Sequence, residues 1–487
     1  MKYSYTFAQM CEADRHTIED LGVPSLTLME RAGAALRSAV LSAMQRTGAE
    51  EALIVCGGGN NGGDGYVAAR LLCEAGVQVR VLSLAEKFSP DCEAVKTKYR
   101  GEVLGRIPRM RFSFIVDCVL GTGLTREAEG APAMLIDFIN SCGAYVVSAD
   151  LPSGLMENGI AGAHCVRADE TVAMGGLKNA LLLQDGADYA GKIVVADIGI
   201  ESAALGAEVW EESDVAAYFP RKKSNVHKGT FGKACLIAGS EEYSGAAFLA
   251  AGACLKSGVG YTRLCLPESI FPYAIGRLPA CILQPFRSID GETLGANCIT
   301  AGMGMGVSEK LYARLVELLP EYTGVLVLDA DALNTIAHYG TEILKNKTCR
   351  VIVTPHPKEF ARLTGKSVGE IEKNALAEAQ AFAEEYGVVV LLKGNRTIVT
   401  DGIRTAINTE GSPALAKGGS GDVLAGFLAG TCARGVPPFE ACCAAAFLCG
   451  RAGVLCADEM GEYSPDAQDI IAHLPQAIVR TVQNSQT

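Results

Sequence analysis

Apolar positions along the chain follow two rhythms that repeatedly trade places. Residues 8–47 carry helical spacing, with Leu26, Leu28, Met29, Ala32, Ala35 and Leu36 on one face. Glu51–Cys56 then reads as a strand, Gly57–Gly65 as a glycine-rich loop and Tyr66–Ala75 as a helix. Further apolar, β-branched runs follow at Val77–Leu84, Ser113–Val119, Ala144–Ala149 and Lys192–Asp197, separated by helical patterns. Strands alternating with helices predict an α/β domain, a parallel sheet covered on both faces. In such sheets ligands sit beyond the carboxyl ends of the strands. Those ends carry Gly57–Gly65, Asp117 with Gly121–Leu124, and Asp150–Gly154.

The pattern weakens over residues 201–220, where charges gather at Glu211, Glu212 and Asp214 and again at Arg221–Lys223. A boundary near residue 212 is expected, giving domains 1–212 and 213–487. Beyond it Lys233–Ala238 reads as a strand, Ser244–Ser257 as a helix and Tyr261–Leu266 as a strand. The alternation resumes at Asn297–Gly302, Gly324–Leu328, Cys349–Thr354 and Val388–Leu392. Arg396–Thr400 and Arg404–Asn408, split by Asp401 and Gly402, predict a hairpin. Two helices, Gly421–Ala433 and Pro438–Met460, are expected to close the domain.

Composition supports two domains, because 487 residues exceed what one hydrophobic core organises. A net charge of -12 argues against nucleic acid or an anionic membrane as partner. The apolar runs break before the ~20 residues that a membrane span needs. The 18 cysteines are scattered without a C-x-x-C pair, and the 6 histidines lie far apart, so no zinc site is expected. Residues Met1–Tyr5 do not read as a secretory leader, so a cytoplasmic protein with reduced, buried thiols is expected.

In the first half, Gly57–Gly65 contains G-x-G-x-x-G between a strand and a helix. The next strand, ending at Leu84, lacks the acidic residue a dinucleotide fold would place there. Asn60 and Asn61 joined to Asp64 are more specific, since an ordinary turn does not need two amides and a carboxylate. Asp117 and Asp150 end two other strands, so these oxygens should converge; solvated loop carboxylates are the plainer alternative. Gly58–Gly65, Val116–Leu124 and Ala149–Leu155, in that order, resemble the YjeF N-terminal family of NAD(P)H-hydrate epimerases over about residues 5–205. The resemblance implies a Rossmann-like three-layer αβα domain. It implies substrate contacts from Asn60, Asn61, Gly62, Gly63 and Asp64, from Gly121, Thr122, Gly123, Leu124, Thr125, Arg126 and Glu127, and from Asp150. It also implies a potassium ion near Asn61, Asp117 and Ser153, where oxygen-only ligands suit a hard cation. Asp150 is the candidate acid/base.

In the second half, Gly418, Gly419 and Gly421 are expected to let the backbone turn tightly ahead of an apolar helix. Several N–H groups would then face a phosphoryl group gaining charge. Asp422 stands at the mouth of this anion hole, placed to take a proton from an attacking hydroxyl. An ordinary glycine-rich connection is the plainer alternative. His356, locked between Pro355 and Pro357 at a strand's carboxyl end, reads as a site position, and Lys393–Thr397 could embrace a nucleotide; a structural histidine and a simple turn are the plainer alternatives. Asn225–Lys233, Ala238–Ser240 and Ser244–Ala246 would form another face of the same pocket. From about His227 onward the motifs resemble the YjeF C-terminal family, the NAD(P)H-hydrate dehydratases, with a ribokinase-like αβα fold. The resemblance implies that Ala246, Gly304, His356 and Asp422 contact the hydrate. Lys393, Gly394, Asn395, Arg396, Thr397 and Gly421 would contact the adenine nucleotide, and Asp422 would be the catalytic carboxylate. Ala301–Gly306 departs from the family's usual Gly-Pro-Gly, which bears on Gly304.

Together these imply a nicotinamide-nucleotide repair enzyme. It would epimerise the R and S hydrates of NADH and NADPH (NADHX and NADPHX) and dehydrate the S epimer. ADP would be consumed to AMP and phosphate, magnesium would accompany the nucleotide, and the chain would form a homo-oligomer. The residues do not distinguish ADP from ATP. Two other classes fit part of the pattern: a ribokinase-type small-molecule or vitamin kinase, and a non-catalytic nucleotide sensor. Asn60, Asn61 and Asp64 argue against the first, and Asp150 with Asp422 against the second.

Overall fold

Alternate residues of strand Glu51–Cys56 serve two different cores, as a strand covered on both faces requires. Ala52, Ile54 and Cys56 pack with Leu36 and Val40 of helix Ser25–Thr47 and with Tyr66, Val67 and Leu72 of helix Asn60–Glu74. Leu53 and Val55 pack instead with Leu135, Ile136 and Ile139 of helix Ala131–Ser141. The computed structural model describes residues 2–124, 126–202, 206–287 and 290–485. The chain divides into two units, Tyr3–Ala207 in one and Lys2 with the stretch from Glu208 onward in the other. Trp210 and Val215 both belong to the second unit's core.

The first unit holds a seven-stranded sheet in the order Glu102–Leu104, Gln78–Leu82, Glu51–Cys56, Phe114–Cys118, Tyr145–Ala149, Glu170–Met174, Lys192–Ala196. Every neighbouring pair is parallel. The order reverses between Glu51–Cys56 and Phe114–Cys118, so the crevice at their carboxyl ends is where a ligand is expected.

Two of these strands escaped the sequence pattern. Glu102–Leu104 is a short edge strand, and Glu170–Met174 is buried throughout although it opens with two polar residues. Arg46 meets Glu170 at 2.5 Å, and Thr171 donates to the Ala190 carbonyl at 2.7 Å, which satisfies both. The expected loop Gly57–Gly65 is mostly helix, because helix Asn60–Glu74 begins at Asn60. Its glycines serve close approach rather than turning. A Cβ on Gly62 would lie 2.1 Å from the Gly57 carbonyl, and one on Gly65 would lie 2.7 Å from Cys56 Sγ.

The second unit's sheet runs Ile282–Pro285, Tyr261–Leu266, Lys233–Ile237, Cys298–Ala301, Val325–Leu328, Arg350–Val353, Val389–Leu392, all parallel. The predicted hairpin follows as antiparallel strands Ile398–Thr400 and Thr405–Ile407, and Glu208 pairs with Ala406 beyond it. Helices Ser420–Ala433 and Pro438–Met460 form as expected, but Ala467–Asn484 adds a third closing helix. Pro475 inside it interrupts the sequence signal, while Ile470, Leu474 and Ala477 still face the core. Pro438–Met460 is long and apolar enough to cross a membrane, yet most of it is buried within the unit. All 18 cysteines are free thiols, and Cys11 and Cys73 are exposed rather than buried.

Candidate active sites

The carboxyl end of the first sheet opens into a cavity of about 580 Å³. Asn60, Asn61, Asp64, Gly121, Thr122, Gly123, Leu124 and Asp150 all line it. Gly62 and Gly63 are buried inside the helix instead, and Arg126 and Glu127 stand exposed outside the lining. Thr125 lies outside the described residues.

Leu120 ties the three expected cation ligands together. Its carbonyl accepts from Asn61 Nδ2 at 2.9 Å, and its N–H donates to Ser153 Oγ at 2.8 Å. Ser153 Oγ in turn lies 2.6 Å from Asp117 Oδ1. Asp117 is fully buried and also accepts from Ser153 N at 2.9 Å and Ser148 Oγ at 2.8 Å. Burial pushes its pKa up, and these hydrogen bonds oppose the shift. Asn61 Oδ1 is buried without a hydrogen-bond partner.

Asp150 sits at φ 66°, a left-handed conformation that costs a non-glycine residue energy and recurs at functional sites. Its Oδ1 receives Lys178 Nζ at 2.5 Å and Met174 N at 3.3 Å. Asp64 and Asp14 share the cavity. Burial first, and then the charge of Asp150, push both of their pKa values up.

In the second unit Asp422 lies in the first turn of helix Ser420–Ala433, which Gly419 opens at φ 95°. Gly419 alone of the three expected turn glycines needs a positive φ; Gly421 is already helical. Burial, with Asp329 and Asp331 nearby, pushes Asp422 up to about 6, while Lys393 opposes the shift. Lys393 ends strand Val389–Leu392 and donates to Asp329 Oδ1 at 2.8 Å, with Glu359 at 3.9 Å. Burial works against its ammonium, but Asp329 and Glu359 outweigh that and raise its pKa. A Cβ on Gly421 would lie 3.5 Å from Lys393 Nζ, so these two predicted nucleotide residues are neighbours. Arg396 donates to the Thr409 carbonyl, and the Thr397 carbonyl accepts from Asn408 at 2.9 Å, so both brace the neighbouring chain.

His356 caps helix Pro357–Thr364: its Nδ1 accepts from Lys358 N at 3.1 Å and Glu359 N at 3.3 Å. Nδ1 therefore carries no proton, and Nε2 faces Glu359 Oε1 at 3.4 Å. Burial and the Lys393 charge hold its pKa below the usual histidine value. Gly304, at φ 63°, abuts Ala246, since a Cβ placed on it would lie 3.0 Å from the Ala246 Cβ. Ala301–Gly306 thus brings Gly304 beside Ala246 despite its departure from the usual motif.

A family model described as NAD(P)H-hydrate dehydratase matches residues 234–476, and one described as YjeF-related protein N-terminus matches residues 25–180. The bifunctional NAD(P)H-hydrate repair enzyme of Pyrobaculum aerophilum is 35% identical over 507 residues, spanning 98% of each chain. The protein of that name from Thermofilum pendens is 33% identical over 96% of this chain and 94% of its own. This chain belongs to the bifunctional NAD(P)H-hydrate repair enzymes. Its second unit matches the whole of the ADP/ATP-dependent NAD(P)H-hydrate dehydratase of Bacillus subtilis, co-crystallised with ATP and magnesium. That match covers 57% of this chain at 29% identity and a TM-score of 0.50.

Sequence reasoning missed several residues that line or neighbour the two candidate sites. Lys178 was hidden in the apolar run Glu170–Leu183, where a lone lysine was the available signal. Asp329 and Asp331 end strand Val325–Leu328, and their signal was an acidic pair at a strand's carboxyl end. Ala330 between them holds φ 47°, strain that no sequence pattern announces.

Proposed function

We propose that the two domains divide the repair of hydrated nicotinamide nucleotides between them, with Asp150 and Asp422 as their respective acid/base groups. Water added across the reduced ring leaves a hydroxyl that departs poorly as hydroxide and well as phosphate. In the second domain Asp422 takes the proton of that hydroxyl as its oxygen bonds to the terminal phosphorus of ADP, and AMP leaves. The first-turn N–H groups after Gly419 and the ammonium of Lys393 stabilise the transferred charge. The ring nitrogen's electron pair then expels phosphate, and loss of the neighbouring carbon's proton restores NADH or NADPH. The observation that carries this reading is the carboxylate of Asp422, pushed up to about 6, in the same helical turn as Gly421 beside Lys393.

Magnesium arriving with the nucleotide would meet carboxylate oxygen from Asp329 or Asp331, the acids beside Asp422, and would neutralise phosphate charge. In the first domain the unpartnered Asn61 Oδ1, with Asp117 and Ser153, fits potassium, which would supply a fixed positive charge beside Asn60–Asp64. The epimerase pocket interconverts the R and S forms, so that a chiral dehydratase pocket can consume both.

The test gives purified protein both epimers, magnesium and either ADP or ATP. With ADP, AMP and phosphate should appear in step with returning nicotinamide absorbance. Phosphorylation of a vitamin or sugar alcohol, with the hydrate untouched, would favour a kinase instead.

A further inference from the structure

The first-domain cavity is lined by Asp14, Asp64, Asp91 and Asp150, with Lys178 as the one lysine or arginine among its described lining residues. Lys178 is 1% exposed and is held from two directions. Its backbone pairs with Tyr5 through strand Leu177–Lys178, and its ammonium donates to the Met174 carbonyl at 2.6 Å. A buried lysine fixed at its backbone and again at its ammonium cannot wander, so the ammonium's contact with Asp150 Oδ1 at 2.5 Å is fixed as well. Met174 N reinforces that oxygen at 3.3 Å. Asp150 Oδ2 is left on the Gly121 side, 3.3 Å from where a Cβ on that glycine would lie.

We propose that Lys178 is a positioning residue of the epimerase: it anchors Oδ1 of Asp150 so that Oδ2 alone is presented to the hydrate. This rests on Asp150 being the acid/base of the first domain. Inversion balances when Oδ2 takes the hydroxyl proton as the ring C–N bond opens to an aldehyde, its electron pair going to nitrogen, and returns that proton once nitrogen has reclosed on the other face. Both transfers need one acceptor of fixed orientation, since a freely rotating carboxylate would spend part of its time misaimed. Burial first, and then Asp150, push the pKa of Asp64 and Asp14 up, with Lys178 opposing the shift at Asp64, while Lys178 itself contacts Asp150.

The test follows R-to-S exchange chromatographically with the full chain and no nucleotide, so that nothing is dehydrated. Lys178→Met should lower kcat about 10²-fold, the usual cost of misplacing a catalytic group, with KM changed less than about twofold. Lys178→Gln, which keeps a donor, should recover about tenfold of that loss. The double variant Lys178→Met with Asp150→Asn also removes the unpaired buried charge, and it should be no slower than Asp150→Asn alone. A rise in KM at unchanged kcat, parent rates in both Lys178 variants, or a double variant slowed by the product of both losses would overturn the proposal. If Asp150→Asn itself exchanged the epimers at the parent rate, the assignment of Asp150 would fail, and this inference with it. Loss in Asp150→Asn beside parent rates in the Lys178 variants would remove only the inference.

Discussion

Asp150 and Asp422 both stand at the carboxyl end of a parallel sheet, but the two domains hold them by opposite means. Asp150 is strained to φ 66° and clamped by a buried ammonium at 2.5 Å. Asp422 lies in an unstrained helical turn, and burial with two neighbouring carboxylates pushes it up to about 6. The nearest ammonium, Lys393, is committed to Asp329 at 2.8 Å and so only moderates the shift. A clamped carboxylate gives direction; a desolvated one gives basicity near neutral pH. As the proposed acid/base of epimerisation, Asp150 must be aimed at the hydrate's hydroxyl, whereas phosphoryl transfer needs a base strong enough to deprotonate an attacking hydroxyl.

The largest effect should come from exchanging each carboxylate for its amide. Asp422→Asn should slow dehydration about 10²–10⁴-fold, as loss of a general base does, while nucleotide binding and epimerisation persist. Asp150→Asn should do the reverse, with the R epimer accumulating as the S epimer is consumed. Folded variants that each lose both activities would erase the distinction between the sites.

The next effect concerns the independence of the second unit. Trp210 is 6% exposed, stacks on Tyr218 at 5.7 Å and donates to Glu208 at 2.8 Å. A fragment starting at Ser213 should therefore be less stable than one starting at Glu208, by about the 3–5 kcal/mol of a deleted buried tryptophan. Chemical denaturation of the two fragments measures the difference, and equal midpoints would move the boundary back towards residue 212.

A smaller effect should follow from crowding the first site alone. Gly62→Ala places a methyl 2.1 Å from the Gly57 carbonyl. Overpacking of this kind costs about 1–3 kcal/mol. Epimerisation should fall and the first domain's unfolding midpoint should drop, with dehydration intact; an unchanged midpoint would mean the loop yields freely.

The finest distinction is pH. As the proposed base, Asp422 would work only when ionised, so kcat/KM for dehydration should be full above about 6 and fall tenfold per unit below it. Lys393 lowers that pKa, so Lys393→Met should move the acid limb upward. A limb unmoved by this change would detach Lys393 from Asp422.

The periodicity by itself determined two α/β domains and the strands that carry the sites, because buried parallel strands must be continuously apolar and their helices amphipathic. The motif residues Asp117, Asp150 and His356 were legible for a related reason, since polar groups just past apolar strands have little structural cause to be there, and Asn60, Asn61 and Asp422 stood out beside glycine-rich turns. Tertiary structure alone decided the rest. Glu170–Met174 is a central strand because Arg46 and the Ala190 carbonyl satisfy its polar residues from distant segments. The helical positions 62, 63 and 65 require glycine because Gly57, Met29 and Cys56 respectively press against them. Lys178 reaches Asp150 across 28 residues of chain, a pairing that exists only once the sheet has formed. Local pattern records what each segment must bury. Which charge meets which is settled by contacts between segments far apart in the chain, and those contacts leave no periodic trace.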